Sequence, residues 1–162
     1  MTFDGQGRGA GIVAAAFALA VGGLISMVTA TAAGAVSPAT KELLESSSYI
    51  YVATQRKDGQ LGKSVPIWFV YDGEKIFFTT SPDSWKAKRI ARGSPLTIHV
   101  GKESGPTLVG KATKVTDPTL VDGMGKRYSD KYFIAWLGLF RPRSERVTAG
   151  KTVAYLVDVE ER

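Results

Sequence analysis

The sequence predicts a mainly β fold, a small β-barrel with peripheral helices, preceded by an N-terminal hydrophobic helix. Three observations carry this reading. Six segments have strand character, and two of them are joined at Asp72-Gly73, a pair suited to a left-handed hairpin turn. Only two segments in the body of the chain read as helices of more than one turn, a basic one after Ser84 and one opening on Asp117-Pro118. The 162 residues leave material for one core once the first forty are set aside.

The chain begins with a membrane-directed segment. Gly11 to Ala33 contains no charged residue and approaches the ~20 residues needed to span a bilayer, while Ala33-Gly34-Ala35 has the form of a small-residue cleavage site. A membrane anchor and an exported, cleaved signal both fit, so the domain is expected to be membrane-anchored or exported. Residues 1–35 form this segment, residues 36–46 a linker with Thr40 as a helix cap, and residues 47–162 the barrel domain.

Within the barrel, Tyr49 to Thr54 reads as a buried strand, and Arg56-Lys57-Asp58-Gly59 as the turn after it. Ser64 to Tyr71 and Lys75 to Thr80 flank Asp72-Gly73 as a hairpin; Pro66, without an amide hydrogen, belongs at an edge or where the ladder opens. Trp85 to Arg92 follows as a helix capped by Asp83 or Ser84, and Gly93-Ser94-Pro95 stops it. Leu96 to Gly101 and Thr107 to Thr116 are further strands, and His99 falls on the second face of the first of these. Asp117-Pro118 then starts a helix in which Leu120, Met124, Tyr128 and Tyr132 recur every four residues as a core stripe. The apolar run Trp136 to Phe140 and the cations Arg141, Arg143 and Arg146 precede a last strand, Thr152 to Val159.

Composition removes several kinds of chemistry. There is no cysteine and one histidine, so disulfides, thiolate or histidine metal sites and a Ser-His-Asp arrangement have no basis, and no metal is expected. The net charge of +6 is spread among interspersed acids and bases without a stacking-aromatic basic block, which argues against nucleic acid. What remains is one anion-binding pattern. The hydroxyls of Thr79, Thr80 and Ser81 lead into a helix start at Ser84 with Lys86 in its first turn, where a cation opposes the helix dipole unless an anion is near. A phosphate fits there; so does a simple cap with a solvated basic face.

The order Val65-Pro66-Ile67-Trp68-Phe69, Asp72-Gly73, Phe77-Phe78-Thr79-Thr80, Ser84-Trp85-Lys86 and Arg89-Ile90 resembles the pyridoxamine 5'-phosphate oxidase-like family, over roughly Ser46 to Val159. The resemblance implies a six-stranded flavin-binding split barrel. It implies that Pro66, Ile67, Trp68 and Phe69 lie along an isoalloxazine ring, that Phe78, Thr79 and Thr80 contact ring and ribityl chain, and that Ser84, Trp85 and Lys86 hold a phosphate. The implied cofactor is flavin mononucleotide (FMN), with the deazaflavin F420 as the alternative, bound between two copies of the chain. Trp136, Arg141 and Arg143 then belong to the cofactor wall or to the subunit interface, and Lys88, Arg89 and Arg146 are further cations for a longer anionic tail. The Arg-x-His of true pyridoxamine phosphate oxidases has no counterpart in Thr152 to Arg162, so another small-molecule redox substrate is expected. A membrane-tethered, non-catalytic cofactor carrier and an empty structural dimer are the competing readings; no catalytic side chain is assigned, because a redox cofactor carries the reactive atoms.

Overall fold

The computed structural model describes residues 34–162; the expectations for the anchor or signal segment lie outside them. Among the described residues no helix is long and apolar enough to cross a membrane. The chain runs α1 (Pro38–Ser46), β1 (Ile50–Thr54), β2 (Val65–Ile67), β3 (Val70–Tyr71), β4 (Lys75–Thr80), α2 (Trp85–Ile90), β5 (Leu96–Val100), β6 (Thr107–Val115), α3 (Pro118–Lys131), α4 (Phe133–Trp136), α5 (Ser144–Thr148) and β7 (Val153–Glu161). The seven strands form one antiparallel sheet in the order β2-β1-β5-β6-β7-β4-β3. Its two end strands are consecutive in sequence, so the sheet curls until its edges meet across Trp68 and Phe69. This is a split barrel.

The single strand expected over Ser64 to Tyr71 is therefore two. β2 pairs with β1, placing Pro66 opposite Tyr51 on an edge, while β3 turns back on β4 through Val70↔Phe77 and Tyr71↔Ile76. Between them, tyrosine hydroxyls from α3 and its C-cap replace the ladder. Tyr128 donates to the Trp68 carbonyl at 2.8 Å. The Tyr132 hydroxyl accepts from the Phe69 amide at 3.0 Å, and the Phe69 and Ser48 carbonyls both lie within reach of its one proton at 2.7 and 2.9 Å. Buried backbone groups need such partners, and side chains can supply them where strands cannot. The hairpin turn is as expected: Gly73 has φ +102°, and the Asp72 carboxylate accepts from the Glu74 and Lys75 amides.

Two apolar layers result. Inside the curl, Leu44, Ile50, Ile76, Phe78, Ile98 and Val157 are fully buried together; on the outer face, Phe77, Ala154 and Val115 meet Val121, Met124 and Tyr128 of α3. Successive residues of β4 thus face opposite cores, which is why its sequence shows no polar alternation. The stripe on α3 is core as expected, and Asp117 caps that helix through the Thr119 and Leu120 amides.

Residues 36–46, expected as a linker, carry α1. Its cap is Ser37 rather than Thr40, because Pro38 occupies the first helical position and leaves the preceding hydroxyl to accept from the Thr40 amide. Thr40 is buried and donates to Glu161 at 2.6 Å, and the same carboxylate takes the Ser37 amide at 2.6 Å. These bonds hold the Glu161 carboxyl below its usual range and tie α1 to β7.

The break at Trp68-Phe69 gives a direct expectation. Tyr132→Phe should lower stability by about 2 to 3 kcal/mol, since it strands a buried amide, whereas Tyr128→Phe, which leaves only one carbonyl short, should cost about 1 kcal/mol. Urea unfolding of the two variants checks this; equal losses would contradict the unequal roles.

Candidate cofactor-binding site

The end of β4 and the start of α2 lie at one mouth of the barrel. Thr80 Oγ1 and Ser84 Oγ are 3.2 Å apart, and Ser84 Oγ accepts from the Ala87 amide at 3.1 Å. Ser84 is thus a working helix cap, and the Ala87 amide that it takes is not free for a ligand. α2 has only six residues, so its dipole is a minor attraction for an anion. The weight falls on Lys86. Its Nζ sits 6.0 Å from the Phe78 ring centroid, and burial pushes its pKa down to about 8. Among the described residues the single side-chain ion pair is Lys75 with Asp158, so Lys86 is half-buried without a carboxylate to neutralise it.

Thr79, Thr80, Ser81 and Thr152 line one wall of a cleft of about 460 Å³, and Gly138 to Arg143 with Arg146 line the other; Ser84 and Lys86 are not among its lining residues. That volume is within the ordinary range for a small-molecule pocket. Three arginines and four hydroxyl-bearing residues line it, without any carboxylate. The fold therefore brings Thr79 and Thr80 together with Arg141 and Arg143, residues more than sixty positions apart.

The arginine wall is held by contacts invisible to local pattern. Asp122 on α3 accepts from the Ser144 amide at 2.9 Å and the Ser144 hydroxyl at 2.7 Å; these two bonds, aided by Arg141, keep its carboxyl below the usual range. Arg143 donates to the Gly138 carbonyl at 3.0 Å, and Arg146 lies 3.4 Å from Thr152 Oγ1. Gly125 on α3 has no room for a Cβ, which would collide with the Pro142 carbonyl oxygen. Phe140, φ +58°, is the one non-glycine residue at positive φ among the described residues, a conformation costly for a bulky side chain. Its ring meets Trp68 edge-on at 6.0 Å, and Trp68 stacks on Tyr132 at 4.8 Å.

The other expected contacts are distributed unevenly. Pro66 is exposed on the edge strand, Ile67 is half-buried against the inner core, and Trp68 presents a half-buried ring next to Phe140. Phe69 and Phe78 are fully buried. Phe69 lies beneath the Lys131 ammonium, 3.8 Å from its ring centroid, with its backbone taken by Tyr132; neither phenylalanine offers a side-chain face to a ligand. Trp85 is 71 % exposed and carries Lys88 and Arg89 over its ring, facing away from Lys86. Trp136 is 66 % exposed and does not line the cleft. Arg146, Thr152 and Asp122 complete the site; only Arg146 stood out in the sequence, through its charge.

An anionic, partly aromatic cofactor suits this donor set: hydroxyls and cations on two walls, with the Trp68 and Phe140 rings adjoining. The fold has known counterparts. An F420 reductase is 24 % identical, with a TM-score of 0.53, 76 % of this chain and 95 % of that one covered. The FAD and haem binding protein of Mycobacterium smegmatis is 20 % identical, with a TM-score of 0.56, 80 % and 71 % covered. The haem storage protein HutZ of Vibrio cholerae is 14 % identical, with a TM-score of 0.52, 79 % and 91 % covered. At such identities the likeness establishes the fold. No curated protein matches the chain. The family profile described as pyridoxamine 5'-phosphate oxidase matches residues 36–161, from α1 to the end of β7, and with that span the chain belongs to the pyridoxamine 5'-phosphate oxidase-like split-barrel family.

Proposed function

We propose that the chain binds a flavin-type cofactor, FMN first, in the cleft between β4 and the Arg141 to Arg146 wall, and uses it as an oxidoreductase on a small molecule other than pyridoxamine phosphate. One observation carries the reading: the hydroxyls at the end of β4, the strand that leads into the helix bearing the half-buried, unpaired Lys86, line a cleft whose charged lining is entirely cationic. The cofactor, when bound, supplies the two-electron chemistry. Thr79, Thr80 and Lys86 hold its phosphate and polyol, Arg141, Arg143 and Arg146 neutralise further negative charge, and Trp68 with Phe140 excludes water from one side.

F420 is the second reading, favoured by the three arginines, which exceed what one phosphate requires; the fold shared with an F420 reductase is in keeping with it. The carrier reading draws on the neighbours named for binding and storage, and differs in that bound cofactor would not turn over with any donor. Membrane tethering or export is part of the proposal and rests on the uncharged run Gly11 to Ala33.

A second copy of the chain completes the picture. Phe133, Ile134, Trp136, Leu137, Leu139 and Phe140 are all exposed, up to 78 % for Phe140, and Leu139 and Phe140 also line the cleft. Six large apolar side chains within eight residues form a patch that water disfavours, and a symmetric mate both covers it and encloses the cofactor.

The lysine sets a pH dependence with a definite sign. Unfolded lysine titrates near 10.5, so the cost of burying the Lys86 ammonium is present at pH 7 and lifts as pH rises from about 8 toward 10.5. A bound phosphate reverses this by stabilising the ammonium. Cofactor affinity should therefore be highest below pH 8 and fall above it by up to about tenfold per pH unit. Lys86→Ala should lose about 1.5 to 3 kcal/mol of binding and flatten that profile, while Lys88→Ala, at an exposed position, should leave both unchanged. Fluorescence titrations of FMN and F420 between pH 7 and 9.5 measure this; equal effects of the two variants would remove the phosphate assignment. Light scattering on residues 34–162 should give a dimer that Phe133→Asp with Trp136→Asp converts to a monomer; a monomeric cofactor-bound native protein would contradict the paired arrangement.

A further inference from the structure

A second basic pocket lies outside the cleft, with a volume of about 290 Å³, lined by Gln55, Arg56, Lys57, Arg89, Arg92, Gly93 and Ser94. It shares no lining residue with the first. Four of its seven residues are cations and none is an acid. Its neighbour Asp58 does not line it, and the Asp58 carboxylate accepts from the Gln60 amide at 3.0 Å within the β1–β2 turn. Among the described residues no carboxylate pairs with any of the four cations.

Arg89 distinguishes this pocket from a solvated face. It is half-buried, its Nη1 lies 3.3 Å from the hydroxyl of the buried Thr54, and its Cζ is 5.9 Å from the Trp85 ring centroid. Gly62 makes room for it, since a Cβ there would overlap Nη1. The guanidinium is thus fixed from three sides with its charge unneutralised. The C-terminal carbonyls of α2 explain a preference for cations at Arg89 and Arg92, but Arg56 and Lys57 come from the β1–β2 turn and gain nothing from that helix end. A pre-organised guanidinium fork with three flanking cations matches the two-oxygen edge of a phosphate.

We infer that this pocket is a second anion site, which takes a phosphate group independently of the cofactor cleft. The phosphate belongs either to a small soluble polyanion or to an anionic lipid headgroup, and the chemistry of capture is the same. Ser94 cannot serve as a donor to the anion, because its hydroxyl accepts from the Gln55 amide and donates to the Pro95 carbonyl; the four cations carry the recognition.

The test is calorimetric titration of pyrophosphate into full-length, cofactor-saturated protein at low ionic strength. One saturable site per chain is expected, weakened at least about tenfold by Arg89→Gln and by less than about twofold by Lys88→Gln, which removes the same charge from the same helix. Arg92→Gln, an exposed substitution, gives the same discrimination if Arg89→Gln impairs folding. A headgroup source shows instead as tighter association with phosphatidylglycerol than with phosphatidylcholine vesicles, a difference that the Arg89 or Arg92 variant abolishes. The inference is overturned if neither ligand binds saturably, if Arg89→Gln with Arg92→Gln weakens binding no more than Lys88→Gln, or if loading the cofactor blocks the site.

Discussion

The structure depends on how the backbone at Trp68 and Phe69 is satisfied. A curled sheet whose edges meet without pairing would bury unpaired amide and carbonyl groups, and the Tyr128 and Tyr132 hydroxyls remove that cost. The same two residues anchor the outer core through Phe77 and fix the ring of Trp68. Lys131 adds a third tie, donating to the Leu44 carbonyl at 3.1 Å while its ammonium rests on Phe69; burial there pushes its pKa down to about 8. One short stretch of α3 and its cap therefore joins α1, the strand break and the sheet's outer face.

From this closure the cleft follows. Trp68, held flat on Tyr132, gives Phe140 an edge to pack on, and Phe140 in its left-handed conformation turns the chain so that Arg141 and Arg143 come back toward β4. Asp122 and Gly125, both on α3, secure the far end of that wall, one by bonding Ser144 and the other by admitting the Pro142 carbonyl. Positive charge is concentrated where β4 ends because no carboxylate lines the cleft there, and several serve the frame instead. Glu161 ties α1 to β7, Asp117 caps α3, Asp72 closes the hairpin and Asp158 pairs with Lys75. The cations lining the two pockets are left without carboxylate partners.

Local features were legible wherever the deciding chemistry lies within a few residues. Asp117-Pro118 marked the start of α3, Asp72-Gly73 the hairpin, and Pro66 an edge. The four-residue recurrence from Leu120 to Tyr132 marked a core face. The division of Ser64 to Tyr71 into two strands was not legible, because the hydroxyls that cause it come from sixty residues further on. Phe78, which the family resemblance set against a flavin ring, packs in the inner core, because successive residues of β4 face opposite cores. Trp85 shared a short motif with Lys86 yet points away from it, since neighbours on a helix are about 100° apart. The arginine wall needed Asp122, Ser144 and Gly125, whose roles exist only in the folded chain.

Visible absorbance of the purified protein, followed by mass analysis of whatever small molecule it releases on denaturation, tests the central claim most directly. The account predicts a flavin or deazaflavin spectrum and a released species with the mass of FMN or F420, in a ratio approaching one per chain. A colourless protein that takes up neither cofactor on reconstitution, or one that holds haem alone, would contradict it.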